Sequence, residues 1–184
     1  MLDFNLSKIP VLETERLILR QMLRSDSPSF YELRTNAQVM QYIDRVQHKN
    51  LEESEAMIQK INEGFVNGAN IIWAITFKIQ PQQMIGNIGY WRTDLPNHRA
   101  EIGYMLHPDH WRQGIISEAL RPVIDFGFNT LGLHSICANI NPGNQASRQL
   151  LIKHGFVKEA YFKEDYYFNG KFLDSEIYGL LNPS

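Results

Sequence analysis

The chain has 184 residues, 43% of them apolar and 21% charged, a mixture that excludes a disordered or fibrous protein and suits one globular domain over residues 1–184. Eighteen Lys and Arg against 20 Asp and Glu leave a net charge of -2, so no overall field draws nucleic acid or an acidic membrane surface. The single cysteine, Cys137, excludes an internal disulfide and reads as a small buried hydrophobe in the apolar run HSICANI, which fits a reducing compartment. The start, MLDFNLSKIP, lacks the basic head and apolar stretch of a signal peptide, and no apolar run is long enough to cross a bilayer. A soluble, cytoplasmic protein is expected.

In chain order, ERLILRQM places Leu17 and Leu19 opposite Arg16, Ile18 and Arg20, an alternation that predicts a strand. A helix is expected from Pro28, whose missing N–H needs no partner in a first turn. Another is expected in NLEESEAMIQKINEGF, where Asn50 caps, Glu53 bonds back, and Met57, Ile58 and Ile61 form the apolar stripe. Ile71 to Phe77 and Met84 to Trp91 then flank a turn at Pro81, and RTDLPNH separates the second run from Arg99 to Leu106. Together these three runs predict an antiparallel meander. From Gly114 to about Asn129 the period turns helical, with Pro122 forcing a kink unless the helix is shorter. HSICANI reads as a buried strand, NQASRQLLIKHGF as a helix ending near Gly155, and the aromatic tail as a closing pair of strands.

The junction EIGYMLHPDHWRQGIISEAL, Glu101 to Leu120, carries the first chemical signal. If Arg112 to Ser117 wrap a helix start, their N–H groups lack internal partners and converge where the helix dipole is positive, which suits an anion such as a phosphate. An ordinary strand-to-helix turn, with Gly114 serving geometry alone, explains the spacing equally well. Neither G-x-x-x-x-G-K-[ST] nor G-x-G-x-x-G occurs, which argues against a nucleotide hydrolase or a dinucleotide-dependent oxidoreductase. His107 and His110 lie three apart with Pro108 between them and no further ligand cluster, so no metal is expected.

Four stretches in order, TERLILR, AEIGYMLHPDHWRQGIISEAL, NPGNQASRQLLIKHGF and FNGKFLDSEIYGLL, resemble the GNAT superfamily over nearly the whole chain. The branch they resemble is typified by the RimJ and RimL acetyltransferases, which modify N-terminal amines of ribosomal proteins. The resemblance implies a mixed α/β fold: a twisted, mostly antiparallel sheet of about seven strands, flanked by helices, with splayed central strands. It implies acetyl-CoA as cosubstrate, its pyrophosphate held by Gln113, Gly114, Ile115, Ile116 and Ser117 with Arg112 beside them. Alternation puts Glu101, Gly103, Met105 and His107 on one strand face and Ala100, Ile102, Tyr104 and Leu106 on the other. Gly103 then leaves room beside a carboxylate. By the resemblance, the pantetheine arm enters the gap between this strand and HSICANI, with Met105 and His107 as the candidate main-chain contacts.

The resemblance also implies direct transfer to a primary amine. Glu101 is the candidate base, the alternative being a carboxylate paired with Arg99. Asn144 is assigned to the coenzyme arm and Ser147 to the proton for the leaving thiolate, although NQAS with Asn144 as cap is equally a helix start. Residues 164–167, KEDYY in context, lie where the branch places acceptor contacts, or form an ordinary aromatic hairpin. The acceptor is a protein N-terminal amine or a small molecule such as a polyamine, amino acid or aminoglycoside. A non-catalytic CoA-binding or acyl-CoA-sensing module is the rival, and the branch admits a homodimer.

Overall fold

The computed structural model describes Leu6 and residues 8–183. Its eight-stranded sheet has the order β1-β2-β3-β4-β5-β6-β8-β7. The strands are β1 Leu12–Glu13, β2 Leu17–Gln21, β3 Ile71–Phe77, β4 Gln80–Asp94, β5 Arg99–Leu106, β6 Ser135–Ile140, β7 Val157–Phe168 and β8 Lys171–Leu181. The helices are α1 Ser27–Thr35, α2 Ala37–Met40, α3 Leu51–Val66, α4 Ile115–Asp125 and α5 Gln145–Lys153. The mixed fold with one parallel junction is the one the resemblance implies; β1 and α2 are too short to leave a period in the sequence.

Local chemistry explains most boundaries. Leu17 and Leu19 are fully buried, so the alternation read in β2 pins its register against β3. Pro28 stands in the first turn of α1, and the side chain of Asn50 accepts from Glu53 N at 3.0 Å at the start of α3. Glu53 bonds back to Lys49 N at 2.9 Å, one residue earlier than expected. The turn between β3 and β4 falls at residues 78–79, which leaves Pro81 inside β4. A proline is tolerated there because the β3–β4 register slips between Thr76–Met84 and Phe77–Gln80, so its missing N–H breaks no regular ladder bond.

Helix α4 runs through Pro122, whose missing N–H leaves the Glu118 carbonyl without its helical partner, and gives way to a π turn at Phe126–Thr130. The Tyr90 hydroxyl donates to the Val123 carbonyl at 2.7 Å. Gly127 is required beside it, since a Cβ would lie 2.1 Å from that hydroxyl.

The centre of the sheet is buried on both faces, whereas β7 at its edge is largely exposed. Under α4 and α5 lie Trp73, Ile88, Tyr90, Leu120, Val123 and Ile136. Under α1 and α3 lie Phe30, Leu33, Ile58, Ile61, Ala74 and Met105. Two buried carboxylates belong to this framework: Asp26 pairs with Arg20 at 2.7 Å, and Glu176 bonds Lys158 at 2.7 Å and Arg148 at 3.0 Å, with Tyr178 donating to it at 3.2 Å. Burial pushes the Glu176 carboxyl up, but these cationic partners outweigh it and hold the group below its ordinary value.

Candidate active site

Strand β5 is closed on one edge and open on the other. It pairs with β4 from Gly86–Leu106 to Asp94–Arg99, but with parallel β6 only from Arg99–Ser135 to Glu101–Cys137. Beyond Glu101 the two central strands part. His107 N–H bonds the Ile85 carbonyl at 2.9 Å, and in an antiparallel ladder such pairs alternate, so the amides of Gly103, Met105 and His107 address β4. Those of Tyr104 and Leu106 face the gap. Consistent with this, the Leu106 carbonyl accepts from the Trp111 indole at 2.8 Å. The expectation that Met105 and His107 offer main chain to the gap is therefore corrected by one residue: side-chain alternation names faces of a sheet, whereas the edge an amide addresses depends on the pairing. Met105 packs its side chain under α1 and α3. The His107 ring bonds Glu32 at 3.1 Å and accepts from Asp109 N at 3.4 Å.

Glu101 sits at the point of parting. Its carboxylate lies 3.4 Å from Arg92, and not beside Arg99 as the alternative reading had it. Arg99 instead approaches Cys137, whose thiol is pushed up by burial and which is half-buried rather than enclosed in the core. The space that Gly103 leaves beside Glu101 is filled by Trp91, the extra residue in the β4 bulge: a Cβ on Gly103 would lie 2.8 Å from its ring. An aromatic ring thus lies over Gly103, two residues along β5 from Glu101.

Across the gap, the Tyr104 hydroxyl and Ser147 Oγ are 2.7 Å apart. Ser147 is buried, and its N–H bonds Asn144 Oδ1 at 3.0 Å, so Asn144 is the N-cap of α5. Burial pushes the Tyr104 phenol up to about 12, with the Ser147 bond opposing, so it keeps its proton at neutral pH. Sequence reasoning placed Tyr104 on a core face and missed its hydroxyl. The available signal was a tyrosine whose strand opens onto an N-x-x-S helix start.

The turn before α4 is built for close backbone approach. Gly114, its N-cap, is left-handed at φ 75°, and Arg112 is also left-handed at φ 59°. The first helical bond runs from Glu118 N to Gly114 O at 2.9 Å, so the N–H groups of Ile115, Ile116 and Ser117 precede it without intrahelical acceptors. A clamp from the start of β2 holds the turn. Arg16 bonds Glu118 at 2.6 Å and the Gln113 carbonyl at 3.1 Å, and the Thr14 hydroxyl bonds the same carboxylate. The Glu118 carboxyl is raised by burial yet held low overall by these partners. Ser117 Oγ meets His154, the C-cap of α5, at 2.8 Å, Ile115 is buried, Ile116 packs on the core and Arg112 is exposed. Beside the turn lies a cleft of about 360 Å³ lined by Thr14, Gly114, Ser117, Arg121 and Lys153, among others. A Cβ at Gly114 would meet only Arg16, 3.8 Å away, so the glycine surface is open. Glu15 and Glu118 also line the cleft, Glu118 neutralised by Arg16, and the unpaired N–H groups, open backbone, Arg121 and Lys153 fit a phosphate-bearing group.

A sheet parted between two parallel central strands, with polar groups across the opening and an anion-fitting turn at its end, is the framework of an N-acetyltransferase. The Acetyltransferase (GNAT) domain family matches residues 16–157. N-acetyltransferase YoaA of Bacillus subtilis is 36% identical over 174 residues, covering 95% of this chain and 98% of that protein. The ribosomal-protein-serine acetyltransferase of Escherichia coli is 31% identical over 133 residues, 72% of this chain and 74% of its own. A structure of RimL, the ribosomal L7/L12 alpha-N-protein acetyltransferase, in complex with coenzyme A superposes with a TM-score of 0.85 at 22% identity, covering 94% of this chain and 98% of that one. The chain belongs to the GNAT acetyltransferase family. Among the described residues, no helix is long and apolar enough to cross a membrane.

Proposed function

We propose that the protein transfers acetyl from acetyl-CoA directly to a primary amine, with the α-amine of a protein N-terminus as the leading acceptor. The observation that carries this reading is the parting of β5 from β6 just after Glu101, with the Tyr104–Ser147 pair across the opening. The amides of Gln113, Gly114, Ile115, Ile116 and Ser117, with Arg112, would hold the diphosphate. Main chain of Tyr104 and Leu106 would take the pantetheine amides, and the Asn144 side-chain NH₂ stands at the same opening with its Oδ1 committed to the cap. When bound, acetyl-CoA supplies an acetyl group activated as a thioester.

The chain's own residues then have distinct tasks. An α-amine with a pKa of about 7.7–8.0 is partly neutral at pH 7, whereas a lysine amine near 10.4 is almost wholly charged. Glu101 accepts the ammonium proton, directly or through water. Tyr104, protonated at neutral pH, and Ser147 provide the hydroxyls that return a proton to the thiolate. The test is thiol release from acetyl-CoA against a panel of N-terminal peptides, polyamines, amino acids and aminoglycosides, measured beside CoA affinity. Turnover with N-terminal peptides is expected. CoA binding with no turnover on any amine would contradict catalysis and leave a binding module.

A further inference from the structure

The α1/α3 face of the sheet, opposite the face that packs α4, carries two arginines that the acetyl-transfer chemistry does not use. Arg34 lies in the last turn of α1, and Arg45 in the irregular segment 41–50. The Arg34 guanidinium donates through Nη2 to the Val46 carbonyl at 2.6 Å, next along the chain from Arg45. Its Nε is buried and has no hydrogen-bond partner. Arg45 reaches only the main-chain carbonyl of its neighbour Asp44, at 2.8 Å. Among the described residues, neither arginine forms an ion pair. Asp44, the nearest carboxylate in sequence, is turned away: Oδ2 accepts the Tyr166 hydroxyl and the Asn141 amide.

The two guanidinium groups feel one another's charge, and with no carboxylate paired to either among the described residues they repel one another. Burial, and then the charge of Arg45, hold Arg34 below the ordinary arginine value, and Arg34 in turn pushes the His48 ring down after burial has done so. Leaving a buried cationic N–H unsatisfied is destabilising, so such a pair persists where a ligand completes it. The segment that carries Arg45 bridges α1 to the far side of the opening. Asp44 ties it to Tyr166 of β7 and to Asn141 beyond β6, and Tyr42 stands against Gly143. The pair therefore borders the entrance to the parted strands from the side away from α4, where an acceptor would arrive.

We infer that Arg34 and Arg45 form an anion subsite for the acceptor, so that the preferred substrate is an amine that also bears a carboxylate: a free acidic amino acid or a peptide with an acidic residue beside its N-terminus. The inference rests on the acetyltransferase reading. A planar guanidinium fork matches a carboxylate with two parallel bonds, whereas a polyamine would meet like charge.

The test is direct binding to the full chain, followed by calorimetry, of glutamate, an N-terminal Ser-Glu tripeptide, their amidated counterparts and spermidine. Thiol release from acetyl-CoA is read in parallel. At least one acidic probe is expected to bind tenfold or more tightly than its amide, and spermidine more weakly than either. The acid-over-amide ratio should fall to near one in Arg45→Gln, which is exposed and leaves the fold intact, and in Arg34→Gln, and be partly kept in Arg34→Lys. Preference for the amino acid identifies a small-molecule acceptor, and preference for the peptide a protein one. Equal binding of acids and amides, no binding of any probe, tighter binding of spermidine, or a preference that survives both glutamine variants would overturn the subsite. Acid-selective binding without thiol release would instead sink the transfer reading and leave the subsite standing.

Discussion

The two edges of β5 show how one strand serves both stability and chemistry. Toward β4 the ladder is continuous but for one bulge, and a glycine lets the backbones meet; at Gly86 a Cβ would lie 2.4 Å from the Met105 carbonyl and 3.1 Å from Leu106 Cα. Toward β6 the ladder ends after Glu101, and the next amides and hydroxyls are turned into a gap. The closed edge uses its main-chain groups to hold the fold, whereas the open edge keeps some of the same groups for a ligand. An open edge in a buried sheet is stable only because the other edge and both helical layers fix β5 in place.

This contrast predicts that substitutions on the two edges fail in different ways. Gly86→Ala, on the closed side, is expected to remove about 3 kcal/mol of stability by overpacking against the Met105 and Leu106 backbone, which cannot yield, read as a lower urea midpoint. Retention of the wild-type midpoint would mean that β4 and β5 are not tightly matched. Glu101→Gln, at the opening, should leave the midpoint nearly unchanged while lowering kcat/KM about 10²-fold at neutral pH. The deficit should shrink above the amine pKa of about 8, where the acceptor needs no base; a constant deficit across pH would remove Glu101 from that role.

Arg16→Met tests the clamp on the α4 turn. KM for acetyl-CoA should rise about tenfold with kcat within about twofold, and Arg16→Lys should recover part of the loss, because Arg16 acts on the turn through Gln113 and Glu118. An equal fall in kcat would assign the clamp to the reacting centre. The smallest effect belongs to Glu176. Its folded pKa lies below the ordinary 4.5, so its stabilisation is fully present above that value and is lost as pH falls through the folded one. Urea midpoints should therefore drop more steeply below pH 4.5 in the parent than in Glu176→Gln, and parallel curves would show that the Arg148 and Lys158 contacts are inconsequential.

Periodic elements were legible because a single physical cause decides them. β3 and β5 begin and end where alternation and the flanking turn residues say, and Asn50 caps α3 through its own side chain. The helix through Pro122 was legible only in outline, since no local period marks the π turn that follows it or the bond that Tyr90, more than thirty residues earlier, makes to the Val123 carbonyl. At the candidate site, Glu101, Ser147 and the Gln113–Ser117 turn are brought to one opening, with their roles carried by the resemblance. The Tyr104 hydroxyl, Trp91 over Gly103, the Arg16–Glu118 clamp and the edge addressed by each β5 amide were not legible. Each arises from contacts between segments distant in the chain, which no local period encodes.

Hydrogen exchange of individual amides, with and without acetyl-CoA, addresses the open edge most directly. Tyr104, Leu106 and the first turn of α4 should exchange more slowly on adding the thioester, while Gly103, Met105 and His107, already paired with β4, should change little. Slowing confined to other strands, or none at Tyr104 and Leu106 under saturating acetyl-CoA, would contradict the assignment of this gap to the coenzyme.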